Sequence, residues 1–532
     1  MIRINNKMNN VYPIVFTGPL DGVVTNTLRT LDINPMVNAV GLDLVSMVGP
    51  RTYVDTRDRN KYAGAETFFR EFTGTLIVCL SASYLAKAIA HVMNKLVMPQ
   101  IKINPNSWFS DDSLRFLNHV WEKSKKTDSY VESTLSSITG RDGMNIRKFN
   151  NIDWQNVEWI DEKRWDNIKW DNIKYKNING KIKSKESIIN LISEIIENKN
   201  ISKSDKKHLI EILSLRITNA LKADRISIGE GNLKVSSTIH KLLRDMTDLG
   251  KDVFTNRNIN SVKAVNKIFK INKVKSIGAL TIASLLGLFN QYINRKITEK
   301  RTGAEGFVGD VDFQNKINSK TASKDTSKLF LFEKIVASIG MVAMAIGVMR
   351  VKSPKDFLKK LEFTGPVTSG NVIKTVYAAT LIGRFMASQS KDELRETVTR
   401  DYLGFLNWLV FGGFAAKGVA NLLDKDRKFL FNISKNGNGF KNWLNNVYLK
   451  SHNEIAVQGK TFAKKNMWKM NIAHISGLVY STLALGVLLP KLNIVIAKHN
   501  YNKSHKNLQN MNNGMTFGLK INISDFVGLS NV

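Results

Sequence analysis

"ETFFREFTGTLIVCLSASYLAKAIAHVM" occupies 66–93, and "ETVTRDYLGFLNWLVFGGFAAKGVANLL" occupies 396–423. Residue n pairs with n+330 throughout, without a gap. Eight positions are identical: Glu66/Glu396, Thr67/Thr397, Arg70/Arg400, Gly74/Gly404, Leu76/Leu406, Ala86/Ala416, Lys87/Lys417 and Ala90/Ala420. Glu71/Asp401, Phe72/Tyr402 and Tyr84/Phe414 are conservative. Ordinary residue usage would give about two identities in such a window. Apolar bias does not explain matched Glu, Arg and Lys. "FTGP" also occurs twice, at 16–19 and 363–366. These matches read as an internal duplication.

In each copy a charged turn precedes an apolar run. Glu66/Arg70 and Glu396/Arg400 are four apart, in the order that favours an ion pair on a helix. About 20 predominantly apolar residues cross a bilayer. The runs 74–93, 276–293, 329–351, 402–423 and 475–490 meet that requirement. Two further runs are weaker, 35–50 with Asp43 and 372–387 with Lys374 and Arg384. Two copies in one orientation need an even number of crossings between them, which argues that 372–387 also spans. Inverted repeats would need an odd difference. The fold class expected is mainly α: a multi-pass helical membrane protein with five spans, up to seven, built on a parallel repeat. Small residues four apart, Ala343/Gly347 and Gly412/Ala416, suit helix contacts in lipid.

The remaining chain divides around these runs. Residues 1–65 form an N-terminal segment and 66–98 the first repeat copy. A basic, mostly helical insert follows at 99–275, then two spans in 276–351. The second copy lies in 352–423, a basic loop in 424–470, and the last span and a polar tail in 471–532. Within the insert, Ser110 is a candidate helix cap. Ile188, Ile189, Ile192 and Ile195 share one helical face, as do Leu209, Leu213 and Ile217, and Ile239, Leu242 and Met246. Aromatics recur at Trp154, Trp159, Trp165, Trp170 and Tyr175, a period that suits neither helix nor strand. They read as a local duplication in a loop.

The net charge is +33. Lys and Arg beside spans tend to stay in the cytoplasm, which places both the insert and 424–470 inside a plasma (inner) membrane. The run 256–275, with Arg257, Lys263, Lys267, Lys270, Lys273 and Lys275, could also meet anionic headgroups. The single cysteine, Cys79, excludes a disulfide within the chain. The N-terminus lacks the long apolar region of a secretory signal. No metalloprotease, P-loop, Cys-x-x-Cys or dinucleotide motif occurs, and the eight histidines do not fall at metal-ligand spacing. No catalytic residue, cofactor or metal site is therefore expected.

An ionisable residue inside a membrane is a candidate functional site. Here these are Lys87, Lys417, Asp43, Arg384 and Glu333. Lys87 and Lys417 lie 13 residues past the repeat glycines, about 20 Å along a helix. There they can snorkel or line a path. Two activities follow: a membrane scaffold or interaction protein with a protein partner or second copy, or a transporter of small solutes or ions at the repeat interface. A soluble nucleic-acid binder, suggested by charge alone, is disfavoured by the apolar runs. Convergence of the five polar residues would favour transport, and their pointing to headgroups would favour scaffolding.

Overall fold

The computed structural model describes residues 19–97, 109–141, 144, 146–157, 184–256, 259–302, 325–363, 369–433 and 439–496. The pentads beyond Val157 and most of both "FTGP" copies lie outside these residues. The chain is mainly helical. The helices of the main bundle are α1 (Pro19–Ile33), α2 (35–58), α3 (Lys61–Val97), α4 (Ser261–Thr302), α5 (Lys328–Val348), α6 (Gly370–Ala387), α7 (Lys391–Leu423), the short α8 (His452–Ala456) and α9 (460–496). Five of these are long and apolar enough to cross a membrane: α3, α4, α5, α7 and α9.

Side-chain contacts set the direction of each helix. Asn294 of α4 donates to Thr73 of α3 at 3.4 Å, while Gly278 of α4 packs on Ile89, so α3 and α4 are antiparallel. Phe363 meets Ser276, Thr380 meets Gly287, and Arg295 donates to the Ala387 carbonyl, so α6 runs parallel to α4. Tyr377 stacks on Phe405, and Phe385 on Tyr402, so α7 returns against α6. Thr375 contacts Met349, and Lys334 donates to the Met386 carbonyl, which makes α5 antiparallel to α6. Thr75 donates to Asp43 and Thr67 to Asp55, so α2 opposes α3. Finally Ser481 meets Gly412 and Gly477 meets Ala416, which sets α9 against α7. Seven helices (α2 to α7 and α9) thus alternate in direction, and α3 and α7 point the same way.

Several helices carry a π-helical turn, at Asp43–Val48, Leu76–Ser81, Asn407–Phe411 and Thr482–Leu488. The starts of α3 and α7 are capped by Asn60 and Ser390. The small-residue pairs behave differently. Gly412 and Ala416 form the close contact with α9, whereas nothing lies within 4 Å of a Cβ built on Gly347.

The insert packs at the end of the bundle where α3 finishes and α4 begins. All three apolar faces read from its sequence are buried, and the Ser110 side chain accepts from the Ser113 amide at 3.1 Å. A small antiparallel sheet, which the periodicity did not indicate, has the order β1 (Ile138–Gly140), β2 (Arg225–Ile228), β3 (Val235–Thr238). The last stretch of the insert is continuous with the membrane-length run at 276–293. Ala264, Val265, Ile268 and Ile271 from the start of α4 complete its core. One unbroken helix of 42 residues, about 63 Å long, therefore joins both bodies. Lys263, Lys267, Lys270 and Lys273 lie on its exposed side, while Lys275 is buried. The 424–460 segment sits at the same end: Lys222 of the insert donates to the Val457 carbonyl at 2.6 Å.

Candidate functional site: a buried ionic network

Just before the apolar part of α3 and α7, each helix carries Arg followed by an acid: Arg70–Glu71 and Arg400–Asp401. Helix geometry turns both acids inward, where α2 and α6 each supply an arginine. Arg51 of α2 lies 3.2 Å from Glu71 Oε1, and Arg384 of α6 lies 3.3 Å from Glu71 Oε2. Arg384 reaches Asp401 through its other terminal nitrogen at 3.3 Å. Arg70 and Arg400 contact the acids that follow them, at 3.3 and 2.9 Å. All six side chains are buried. Gly74 and Gly404 make room for the guanidinium groups. A Cβ on Gly74 would lie 3.6 Å from Arg384 Nη2, and one on Gly404 the same distance from Arg51 Nη2.

Around this level the bundle presents Phe68, Phe72, Phe289 and Ile293 outward, all exposed. The charges thus lie inside an apolar belt. Taking ions out of water costs several kcal/mol each, and close opposite charges repay that only with good geometry. Here four guanidinium groups surround two carboxylates. Farther out, Arg59 bridges Asp55 at 3.5 Å and Glu396 at 2.6 Å. A cavity is lined by Arg51, Asp55, Arg59, Arg70, Glu396, Arg400, Pro490 and Asn493. Its walls carry two more guanidinium groups than carboxylates. Arg51 Nη2 and both amide atoms of Asn493 are buried without a hydrogen-bond partner among the described residues. Such a lining favours an anion over a cation, but its volume, about 20 Å³, has room for one water-sized species.

The residues singled out from sequence divide. Arg384 belongs to this network; Asp43 is buried beside it and accepts from the Thr75 hydroxyl at 3.1 Å, without an ion pair among the described residues. Lys87 lies over the Tyr84 ring, 5.4 Å from its centroid. Lys417 donates to the Trp443 carbonyl and lies over that indole. Both lysines thus sit toward the insert end, away from the network. Glu333 pairs with Lys391 at 3.5 Å, half exposed, near the opposite end. The expected pairs Glu66–Arg70 and Glu396–Arg400 do not form. Arg70 and Arg400 are drawn to Glu71 and Asp401, where neighbouring helices concentrate charge, and Glu396 is taken by Arg59. Sequence reading missed Glu71, Asp401 and Arg51 as site residues. The conservative Glu71/Asp401 match was the available signal.

No metal site was expected, yet Asp32, His452 and His474 bring ligand atoms within 4.8 Å of one another. The sequence separations conceal this cluster. No family model, curated protein or solved structure matches the chain.

Proposed function

We propose that the chain is an integral membrane protein of seven crossings, built by internal duplication, whose buried arginine-rich cavity binds a small anionic solute for transport. The observation that carries this reading is the cavity itself. Guanidinium groups exceed carboxylates in its walls, and two of the lining residues, Arg51 and Asn493, keep buried polar atoms without a partner among the described residues. Intramembrane charges commonly mark solute and ion paths. In this reading α2 and α6 are also crossings; Asp43 and Arg51 of α2 and Arg384 of α6 are buried among neighbouring helices.

Duplication draws support from features at n and n+330 beyond the first match. The caps Asn60 and Ser390 and the helix starts Lys61 and Lys391 correspond. The π-helical turns fall in nearly the same place. The shared direction of α3 and α7 suits a parallel repeat. Basic residues near the insert support a plasma (inner) membrane location with insert and 424–460 in the cytoplasm. The exposed lysines of early α4 suit anionic headgroups there.

Uptake of labelled chloride, sulfate, phosphate and acetate into vesicles containing the purified chain tests the activity. Transport of at least one anion, lost in Arg400→Gln, is expected. No uptake and no anion binding would overturn it. The five polar residues do not converge: Lys87 and Lys417 lie toward the insert end and Glu333 toward the other. That outcome and the interlocked ion pairs favour the second reading, a scaffold, while the transport reading rests on the cavity alone. The scaffold reading gains if the vesicles remain impermeant while the chain retains a protein partner or self-association.

A further inference from the structure

We propose that Asp32, His452 and His474 form a binding site for a divalent transition-metal ion, with Zn2+ the best match. The three residues come from α1, α8 and α9, so the ion would fasten three segments at the insert end. This site is separate from the arginine-rich cavity and does not depend on the anion reading.

Local structure brings the ligands together. Ser451 and Glu454 form a reciprocal capping box that starts α8 and fixes His452. The His452 amide donates to Asp32 Oδ2 at 2.9 Å, and His452 Nδ1 lies 3.3 Å from the same oxygen. The His474 ring stands edge-on to His452, with centroids 4.7 Å apart. His452 is fully buried, while Asp32 and His474 are partly open, which leaves an entry path.

Two physical arguments point to a metal. First, zinc holds nitrogen and carboxylate ligands about 2.0–2.2 Å away. Tetrahedral ligands are therefore about 3.3 Å apart, which the Nδ1 to Oδ2 separation already matches. The widest ligand separation is within 4.8 Å, so a shift of about 1.5 Å brings it to that spacing. Second, the outer partners orient the inner ones. His452 Nε2 faces Asn471 Oδ1 at 3.2 Å, and Asn471 Nδ2 donates to Thr25 at 2.8 Å. A proton on Nε2 leaves the Nδ1 lone pair directed at Asp32. Metal-bound imidazoles are oriented through their second nitrogen in this manner. Arg225 lies 4.0 Å from the other carboxylate oxygen, Oδ1, and its side chain is 39% exposed. It can move aside while Oδ2 serves the metal. Two imidazoles and one carboxylate suit zinc and its neighbours better than magnesium or calcium. A fourth position remains for water.

The competing arrangement is a doubly protonated His452 paired with Asp32, which needs no metal. The test uses the full chain, purified in detergent, stripped with a chelator and titrated with Zn2+ against a chromophoric competitor. One equivalent should bind. His474→Ala should lower affinity more than 10-fold, and Asn471→Ala about 10-fold with stoichiometry unchanged. His119→Ala, in the insert, should match the parent. Co2+ should give the intense visible bands of a four-coordinate ion, lost in His474→Gln and Asp32→Asn. Circular dichroism checks that each variant remains helical. Absence of a stoichiometric site in the parent, or parent-like Zn2+ binding and Co2+ bands in folded His474→Gln, would overturn the proposal.

Discussion

Glu71 touches three arginines from three helices, Arg51, Arg70 and Arg384. Neutralising it leaves guanidinium groups facing each other without their counter-charge. Removing one partner of a buried pair typically costs about 3–5 kcal/mol. Glu71→Gln should therefore lower the unfolding free energy in detergent by that order. The double variant Glu71→Gln with Arg384→Gln should cost less than the sum of the single variants, because they share one interaction. An additive result would remove the coupling. A second residue, Glu362, lies outside the membrane-length helices. It accepts from the Asp111 amide at 3.2 Å, between the insert and the 354–360 helix. Burial and the Asp111 and Asp112 carboxylates push its carboxyl up to about 7, against the opposing Lys359. The folded state thus holds this proton more tightly than the unfolded chain, whose carboxyl is near its ordinary 4.5. Its contribution is present below the unfolded value and is lost as pH rises from there through 7. Glu362→Gln should raise the melting temperature relative to the parent at pH 8 and lose that advantage near pH 4. An equal difference at both pH values would exclude this titration. Sequence alone could point to Asp43 and Arg384 because each interrupts an apolar run. It could not choose Glu71 over Glu66 as the partner of Arg70. That choice belongs to Arg51 and Arg384, which arrive from distant segments.

At the scale of elements, α4 and α6 approach so closely that glycine is needed on both sides. A Cβ on Gly383 would come within 2.3 Å of the Leu288 carbonyl oxygen, and one on Gly287 within 2.5 Å of Thr380 Oγ1. The first obstacle is backbone, so the helices themselves must separate. Gly383→Ala should cost about 1–3 kcal/mol, as overpacking does. Gly413→Ala meets open space and should leave stability unchanged or raise it by up to about 1 kcal/mol, since alanine favours helix. Thermal unfolding of the two variants gives the comparison; equal and negligible shifts would mean that α4 and α6 do not pack this closely. The five long apolar helices were legible because their composition is uniform over enough residues. Helix α6 was less legible: it lies between α4, α5 and α7 and buries polar groups that lower its apparent apolarity. The insert's helices announced themselves through Ile188, Leu209 and Leu242 at helical spacing. Its strands are three or four residues long, too short for an alternation to stand out.

For the whole molecule, the alternating directions place the insert and 424–460 at one end of the bundle. Arg350, Lys352, Lys355, Lys359 and Lys360 follow α5 at that same end, and add to the lysines of early α4. Lys359 and Lys360 are paired with Asp112 and Asp356, as Arg295 is with Glu393 and Lys296 with Glu299 at the opposite end, so the difference rests on the exposed lysines of early α4 with Arg350, Lys352 and Lys355. The unequal distribution favours the insert end as cytoplasmic. The single cysteine makes this directly measurable. Cys79 is buried, so a Cys79→Ala background presents no competing thiol. Single cysteines at the exposed positions Ser204 in the insert, Asp426 after α7 and Thr326 before α5 then report each end. In intact cells a membrane-impermeant maleimide should label Thr326→Cys and spare the other two, which should react only after permeabilisation. Labelling of Ser204→Cys and Asp426→Cys in intact cells with Thr326→Cys spared would reverse the orientation while leaving the proposed seven crossings intact. Reaction of Ser204→Cys and Asp426→Cys from opposite sides would be incompatible with α4, α5, α6 and α7 all crossing. It would also remove the parallel relation of α3 and α7 in the membrane.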